Sequence, residues 1–128
     1  MTYLDTNVVI RIITGDQPDK AEEALTVIQQ GSRNSFVIID AILVEICFVL
    51  EFHVYRMSRA DIADALFALS SSPQVLISPT SKQAIEYYRS HPKLDYADCL
   101  LWALHTPTTD VMTFDMHLST LLQTPTSR

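Results

Sequence analysis

Four acidic side chains, far apart along the chain, are the residues best suited to chemistry: Asp5, Glu45, Asp98 and Asp115. Glu45 is the only charged residue in the stretch AILVEICFVL, and Asp98 precedes the apolar run CLLWAL. A carboxylate in apolar surroundings is costly unless it is paired or bound to a metal. Carboxylates that converge also raise one another's pKa unless a cation lies among them. Because oxygen-only ligands select Mg²⁺ or Mn²⁺ over zinc, these acids predict a hard-metal site suited to phosphodiester hydrolysis.

Each of these acids also has a purely structural interpretation. Asp5 could cap the helix that follows it, and Asp115 could cap the last helix. Asp95 and Asp98 have the spacing of an N-cap and the third helical position, and capping is the better interpretation of Asp95 alone. Glu45 has no capping role in the middle of an apolar helix, although it could lie at a solvent edge. The site prediction therefore depends on the joint occurrence of the acids.

Short apolar runs alternate with helical patterns along the chain and predict an α/β fold. The predicted strands are at 2–4, 36–39, 75–77 and 110–115. The predicted helices are at 8–14, from Pro18 to before Gly31, at 41–52, from after Ser58 to before Pro73, from Pro79 to about Arg89, at 94–105 and at 116–122. Short strands separated by helices favour a parallel sheet covered on both faces.

The predicted elements bring the acids toward one edge of the sheet. Asp5 ends the first strand, and Asp115 ends the last one. Glu45 lies about one turn into the helix after the second strand, and Asp98 lies in the first turn of the helix before the last strand. Because ligands of parallel sheets bind beyond the carboxyl ends of the strands, we expect these carboxylates to converge on one crevice.

Composition bounds the class of protein. With 128 residues, 48% of them hydrophobic, and a mean hydropathy of +0.14, the chain has the size of one domain with a sizeable core. A net charge of −6 argues against binding nucleic acid through bulk charge, since phosphate contacts need Lys and Arg, but not against cutting it at a metal site. Neither GxxxxGK(S/T) nor GxGxxG occurs, which argues against nucleotide-binding folds of those types.

Targeting signals and cysteine usage suggest a compartment. No apolar run approaches the roughly 20 residues that span a bilayer, and the N-terminus lacks the pattern of a secretory signal, so we expect no membrane association. Cys47 and Cys99 show no CxxC spacing and are expected to pack as small apolar side chains. Isolated cysteines suit a reducing compartment, which predicts the cytoplasm.

Four blocks of sequence, in this order and at these spacings, resemble PIN-domain proteins: YLDTNVVIRIITGDQP, VEICFVLE, LDYADCLLWAL and VMTFD. The likeness extends from Tyr3 to about Leu122 and is, more narrowly, to the small VapC-like ribonuclease toxins of type II toxin–antitoxin systems. It implies one PIN-like domain over 1–128, built as a three-layer α/β/α sandwich with a central parallel sheet. It also implies a Mg²⁺- or Mn²⁺-dependent endoribonuclease, commonly acting on transfer or ribosomal RNA.

The resemblance also assigns roles to individual residues. The family's catalytic and metal-binding acids map onto Asp5, Glu45, Asp98 and Asp115. Asp95 corresponds to a frequent additional acid just before a helix. Thr6 and Asn7 follow the family's polar pattern after the first strand, where they would hold Asp5 in place or bind water. Thr113 occupies a position where the family often has a small polar residue near the metal.

The segment at about 50–70 matches a helical pair that in these toxins forms part of the dimer and antitoxin surface. The resemblance therefore implies a homodimer and a small cognate antitoxin as partners, besides the RNA substrate. An alternative is a catalytically silent PIN-fold module that binds a protein or RNA partner through the same surfaces. A receiver-like phosphoryl-transfer protein also has Asp at a strand end, but the acid pair and late lysine that it needs do not appear.

Overall fold

A three-stranded parallel sheet lies in the first of the two compact units of the computed structural model, which describes residues 1–123. The first unit is Met1–Ser78, and the second begins at Pro79. The strands are β1 (Thr2–Tyr3), β2 (Phe36–Val37) and β3 (Val75–Leu76). They pair in parallel in the order β1-β2-β3. The predicted α/β fold with a parallel sheet is thus confirmed.

The regular strands are shorter than predicted, but the extended backbone continues past each of them. The Leu4 N–H donates to the Val37 carbonyl at 2.9 Å, and the Ile38 N–H donates to the Leu76 carbonyl at 3.1 Å. Leu4, Ile38 and Ile77 are all buried. The apolar runs are therefore buried extended segments that lead to the carboxyl edge of the sheet.

The first unit contains two helices after each of β1 and β2: α1 (Thr6–Thr14), α2 (Pro18–Gln29), α3 (Asp40–Phe52) and α4 (Arg59–Ser70). The α1 helix packs against α2 and α3, and α3 packs against α4. Their contacts are made by fully buried aliphatic side chains, among them Val9, Leu43, Ile46, Leu50, Ile62 and Leu66. Burial of each such side chain contributes roughly 1.5–3 kcal/mol, so this core fixes the helices that follow β1 and β2.

Local signals set both ends of α1. The Asp5 carboxylate accepts a hydrogen bond from the Thr6 N–H, and the helix therefore begins at Thr6 rather than at Val8 as predicted. At the other end, Gly15 has a φ of 65°, in the left-handed region that glycine adopts without steric cost. Its N–H donates to the Arg11 carbonyl and closes the last turn.

The second unit is helical over the residues that the structure describes. Its helices are α5 (Pro79–Ser90), α6 (Tyr96–Leu104) and α7 (Met116–Leu122). The α5 and α6 helices pack together, and the ring of Tyr87 stacks on that of Trp102 with 3.7 Å between centroids. The Tyr96 hydroxyl donates to the Ser81 carbonyl at 3.3 Å. These contacts hold the first turn of α6, which carries Asp98, against α5.

The predicted strand at 110–115 is wrong, because this segment is irregular in the structure. Met112 and Phe114 are 93% and 98% exposed, so the apolar alternation does not lead to burial. Two local interactions compete with strand pairing on either side of the segment. Thr106 and Thr109 form an isolated antiparallel bridge, and the Thr113 hydroxyl accepts from the Asp115 N–H at 3.0 Å. Sequence alternation alone cannot form a strand without a paired neighbour.

Two further sequence expectations concern burial and membranes. Cys47 and Cys99 are both buried as thiols, as predicted. Within residues 1–123, no helix combines the length and the apolar character needed to cross a bilayer.

Candidate active site

The predicted acids fall into two sets, one in each compact unit. Asp5 and Glu45 belong to the first unit, and Asp98 and Asp115 belong to the second. Each set has its own local geometry. The joining of the two sets into one crevice stays a prediction from the sequence.

Asp5 stands at the carboxyl end of β1 and caps α1. Its backbone is extended, at φ −80° and ψ 155°, and its Oδ1 accepts a hydrogen bond of 2.8 Å from the Thr6 N–H. Within residues 1–123, its Oδ2 accepts no hydrogen bond, and the residue is exposed. The capping and the catalytic interpretations of Asp5 are therefore compatible, because one oxygen orients the carboxylate and the other stays accessible.

Thr6 carries an unusual polar atom. The residue is only 3% exposed, and its Oγ1 has no hydrogen-bond partner among the described residues. A buried hydroxyl without a partner costs about 1–3 kcal/mol, and such groups in native proteins commonly bind an ordered water or a ligand. Asn7 follows in the first turn of α1 and is exposed. The DTN sequence thus presents one oriented carboxylate, one unsatisfied hydroxyl and one accessible amide.

The strand register places Asp5 beside the start of α3. Tyr3 pairs with Val37, so Asp5 lies level with Ile39, the N-cap residue of α3. Adjacent strands are about 4.8 Å apart, and the first turn of α3 therefore adjoins the end of β1. Glu45 follows five positions after the first residue of α3, roughly 7.5 Å along the helix axis. The topology of the first unit thus brings the end of β1, which carries Asp5, and the N-terminal half of α3, which carries Glu45, to the same edge of the sheet.

Glu45 is exposed rather than enclosed by its apolar neighbours in sequence. The residues before and after it in α3 divide between two faces: Leu43, Ile46 and Cys47 are buried, while Glu45 and Phe48 point to solvent. The prediction that apolar neighbours surround the Glu45 carboxylate and make its charge costly is therefore wrong. Its solvent access leaves it available to a ligand, and its proposed metal role depends on topology and resemblance alone.

In the second unit, two acids act on the pKa of a third, Asp98. Burial raises the pKa of Asp98 above its ordinary value, and the charges of Asp95 and Asp115 raise it further. Asp98 is half-buried in the first turn of α6. Like charges within reach of one carboxyl disfavour its ionised form, and a cation at the same place would reverse the effect. Within the second unit, the charges of Asp95 and Asp115 therefore act on Asp98, and the metal role of this set stays a prediction.

Two members of this set also act as helix caps. Asp95 Oδ1 accepts from the Asp98 N–H at 2.8 Å, as its capping interpretation predicts. Asp115 Oδ1 accepts from the Leu118 N–H at 2.7 Å and so caps α7. Thr113 supports Asp115, because its hydroxyl accepts from the Asp115 N–H. The Oδ2 atom of Asp115 accepts no hydrogen bond from the part of the chain that the structure describes.

The donor atoms suit Mg²⁺ or Mn²⁺, but they are not assembled into a cage. Carboxylate, amide and hydroxyl oxygens are the ligands that hard divalent ions prefer. Over residues 1–123, however, no group of three His, Cys, Asp or Glu side chains is arranged to hold a metal ion. Mg²⁺ usually keeps several waters and takes only one or two protein carboxylates directly. Asp98 and Asp115, which both belong to the second unit, could supply two such carboxylates.

Sequence reasoning missed a groove beside β1 in the first unit. Its volume is about 580 Å³, and it lies between β1, α1 and α2. Apolar side chains of the two helices line it together with Tyr3, Asp5, Arg11 and Lys20. Tyr3 is 67% exposed, although it belongs to a strand. The only sequence signal was the alternation of Tyr3, Leu4 and Asp5, which places the first and third side chains on one side of the strand.

Two arginines, Arg11 and Arg59, are held in ion pairs. Arg11 Nη1 lies 3.2 Å from Asp16 Oδ2, and Arg59 Nε lies 3.1 Å from Glu51 Oε2. These pairs support the interpretation of such residues as structural surface groups.

The sequence comparisons identify the family. A family model described as the PIN domain matches residues 2–119, which is most of the chain. Neither the comparison with curated proteins nor the comparison with solved structures gives a match. The extent of the family match, which agrees with the parallel sheet of the first unit, shows that the chain belongs to the PIN domain family.

Proposed function

We propose that this protein is a metal-dependent endoribonuclease, the VapC-like toxin of a toxin–antitoxin pair. PIN domains are generally nucleases, and this chain retains an acid at each of the four predicted catalytic positions. The observation that carries the proposal is the electrostatic coupling of Asp98 to Asp95 and Asp115. Negative charge gathered around a half-buried carboxyl is unfavourable by itself and becomes favourable when a divalent cation binds.

The acids divide the proposed chemistry between metal binding and positioning. Asp98 and Asp115 would hold a Mg²⁺ or Mn²⁺ ion, with Asp5 and Glu45 as the other acids of the site. Such an ion, when bound, lowers the pKa of water and offsets charge on phosphoryl oxygens. Asp95 fixes the first turn of α6 through its hydrogen bond to the Asp98 N–H, and so sets where the Asp98 carboxylate stands.

Other residues position the acids. The Thr6 N–H orients the Asp5 carboxylate, and the Thr113 hydroxyl fixes the turn into Asp115. The unsatisfied Thr6 hydroxyl can donate to a water near Asp5, and Asn7 can hold water or a phosphate oxygen. The substrates we propose are transfer or ribosomal RNA, and the compartment we propose is the cytoplasm.

The central test is RNA cleavage with Mg²⁺ or Mn²⁺ by variants of the acids. Asp98→Asn and Asp5→Asn keep the shape of each side chain and remove its charge, and we expect each to lower cleavage by at least a hundredfold. Asp19→Asn is the matched control, since Asp19 is an exposed acid in the first turn of α2. Cleavage by Asp98→Asn at the rate of the unaltered protein would rule the assignment out.

We also propose a homodimer and a cognate antitoxin as partners. The C-terminal turn of α3 and the loop after it expose Phe48, Phe52 and Val54, which are 55%, 52% and 92% exposed. The Phe48 ring packs on those of Phe52 and His53, with 5.6 and 5.2 Å between centroids. Large exposed apolar patches mark protein-binding surfaces. Sedimentation of the protein alone and with its co-encoded neighbour tests both partners, and Phe48→Ser should weaken at least one complex.

A catalytically silent binding module is the second candidate. It is favoured by the capping roles of Asp5, Asp95 and Asp115, and by the lack of a three-ligand group over residues 1–123. Calorimetric titration with Mn²⁺ separates the two candidates. Binding that disappears in Asp98→Asn supports the nuclease, whereas a protein that binds no Mn²⁺ and cleaves no RNA supports the silent module.

A further inference from the structure

An exposed aromatic ring stands two residues before Asp5 on the edge strand β1. Tyr3 is 67% exposed, while Leu4 between them is 7% exposed and faces the core. Side chains alternate along an extended chain, so Tyr3 and Asp5 lie on the same side, roughly 6.6 Å apart. The hydroxyl of Tyr3 makes no hydrogen bond to any described residue. The ring and the hydroxyl of Tyr3 are therefore both accessible to a ligand.

Tyr3 and Asp5 open into the same groove. Its volume of about 580 Å³ falls in the range of about 300–1,000 Å³ that small-molecule sites occupy, and it can therefore take a nucleoside. Three charged side chains besides Asp5 line it: Arg11, Lys20 and Glu23. Arg11 is paired with Asp16, but Lys20 is exposed and makes no ion pair within residues 1–123. The groove thus combines an apolar floor, an exposed ring and an available cation.

These features fit single-stranded RNA better than a protein segment. Bases stack on aromatic side chains without regard to sequence, and phosphates bind lysine. A peptide paired with the edge of β1 would use the backbone of Tyr3 and would not need its ring. Asp5, which the proposed function counts among the acids of the active site, is also part of the groove lining.

We propose that Tyr3 is a positioning residue whose ring stacks on a base next to the scissile phosphate, with Lys20 near the neighbouring backbone. This inference rests on the proposed function for the identity of the substrate. The stacked base would hold the RNA strand in place at Asp5, so Tyr3 acts on binding and not on the chemical step.

The test compares variants on short oligoribonucleotides that the unaltered protein cleaves. Tyr3→Ala should raise KM about tenfold and change kcat by less than about twofold, since loss of base stacking weakens binding. Tyr3→Phe keeps the ring and should restore KM to within about threefold. Leu25→Ala is the control, because Leu25 is an exposed apolar residue of α2 outside the groove.

Substrates with one abasic nucleotide locate the stacked base. In the unaltered protein, an abasic site at one position next to the cut should raise KM about tenfold. In Tyr3→Ala the same abasic site should add no further loss, because the ring and the base belong to one interaction. If the two losses multiply, or if Tyr3→Ala leaves KM unchanged, the inference is overturned.

Failure of this inference and failure of the proposed function give different results. Binding of the oligoribonucleotides is measured by fluorescence anisotropy in EDTA, where no cleavage is needed. A protein that does not cleave but binds RNA through Tyr3 contradicts the nuclease proposal alone. A protein that cleaves with the same KM in Tyr3→Ala contradicts the role of Tyr3 alone.

Lys20→Ala should lower the slope of log binding constant against log salt by about one.

Discussion

Asp95 accepts a hydrogen bond from the Asp98 N–H at 2.8 Å, and its charge also raises the pKa of the Asp98 carboxyl. The two effects have opposite consequences for a helix terminus. The hydrogen bond satisfies an N–H that would otherwise lack a partner, while the charge makes ionisation of Asp98 less favourable. An asparagine or serine would cap the helix equally well without the charge. The charge of Asp95 also interacts favourably with the positive end of the α6 dipole, so the aspartate has a structural role whether or not a cation binds.

Replacing Asp95 by Asn separates capping from charge. Burial remains, but the charge of Asp95 is lost, so the pKa of Asp98 should fall toward its ordinary value of 3.8. Because that pKa is raised in the folded state, the folded protein binds more protons between 3.8 and the raised value, and stability decreases as pH rises through that interval. The decrease should be smaller in Asp95→Asn.

Carboxyl-carbon NMR titration of Asp98 and urea unfolding at several acidic pH values measure these changes. Asp95→Ala is the comparison, since it removes the charge and the cap together and should lose about 1 kcal/mol of stability that Asp95→Asn retains. A titration of Asp98 that is identical in all three proteins would show that Asp95 acts only as a cap.

Divalent ions should stabilise the folded protein. A ligand that binds only the native state adds about 2.7 kcal/mol at a concentration one hundred times its Kd. We therefore expect excess Mn²⁺ to raise the melting temperature and EDTA to reverse the effect. The melting temperature of Asp98→Asn should change with neither Mn²⁺ nor EDTA. The Asp19→Asn control should respond as the unaltered protein does, and an equal rise in Asp98→Asn would place the ion elsewhere.

Helix ends were predictable because capping is local. The α4 helix begins after Ser58, whose hydroxyl accepts from the Asp61 N–H at 3.1 Å, and α1 ends at Thr14, before Gly15, as predicted. The same holds for the cap at Asp95. The first three strands were found because each is a short buried apolar run, although their ends were placed too far along the chain.

What could not be predicted depends on partners distant in sequence. The alternation in VMTF resembles that of a strand, but a strand exists only where a neighbour pairs with it, and Met112 and Phe114 are exposed instead. Glu45 was expected to be enclosed, since all nine other residues in its stretch are apolar. Which side of α3 faces the core is decided by packing against α1 and α4, and that packing leaves Glu45 exposed.

Tyr55 holds the carboxylate of Asp16 in its ionised form. Its hydroxyl donates to Asp16 Oδ2 at 2.5 Å, and this bond, followed by the Thr14 hydroxyl and the Arg11 charge, lowers the pKa of Asp16 below 3.8. A lowered pKa adds stability above the ordinary value, and that stability is lost as pH falls through the lowered value. Tyr55→Phe should raise the pKa of Asp16 and make the loss in acid smaller, as measured by NMR titration and unfolding. An unchanged titration would mean that Arg11 and Thr14 suffice.

Thr6→Val tests whether the unsatisfied hydroxyl at the end of β1 serves the site. Valine has nearly the same shape, and the Thr6 Oγ1 has no partner within residues 1–123, so the substitution should leave the free energy of unfolding unchanged or raise it by about 1–3 kcal/mol. If the hydroxyl orients a water beside Asp5, the same variant should lose about tenfold or more in RNA cleavage. Thr26→Val is the control, because the Thr26 hydroxyl donates to the Glu22 carbonyl at 2.8 Å on an exposed turn of α2. A Thr6→Val protein that loses stability and keeps its activity would show that the hydroxyl has no part in the site. A hydroxyl bonded to a structural water predicts that result, because its loss costs folding free energy and leaves cleavage unchanged.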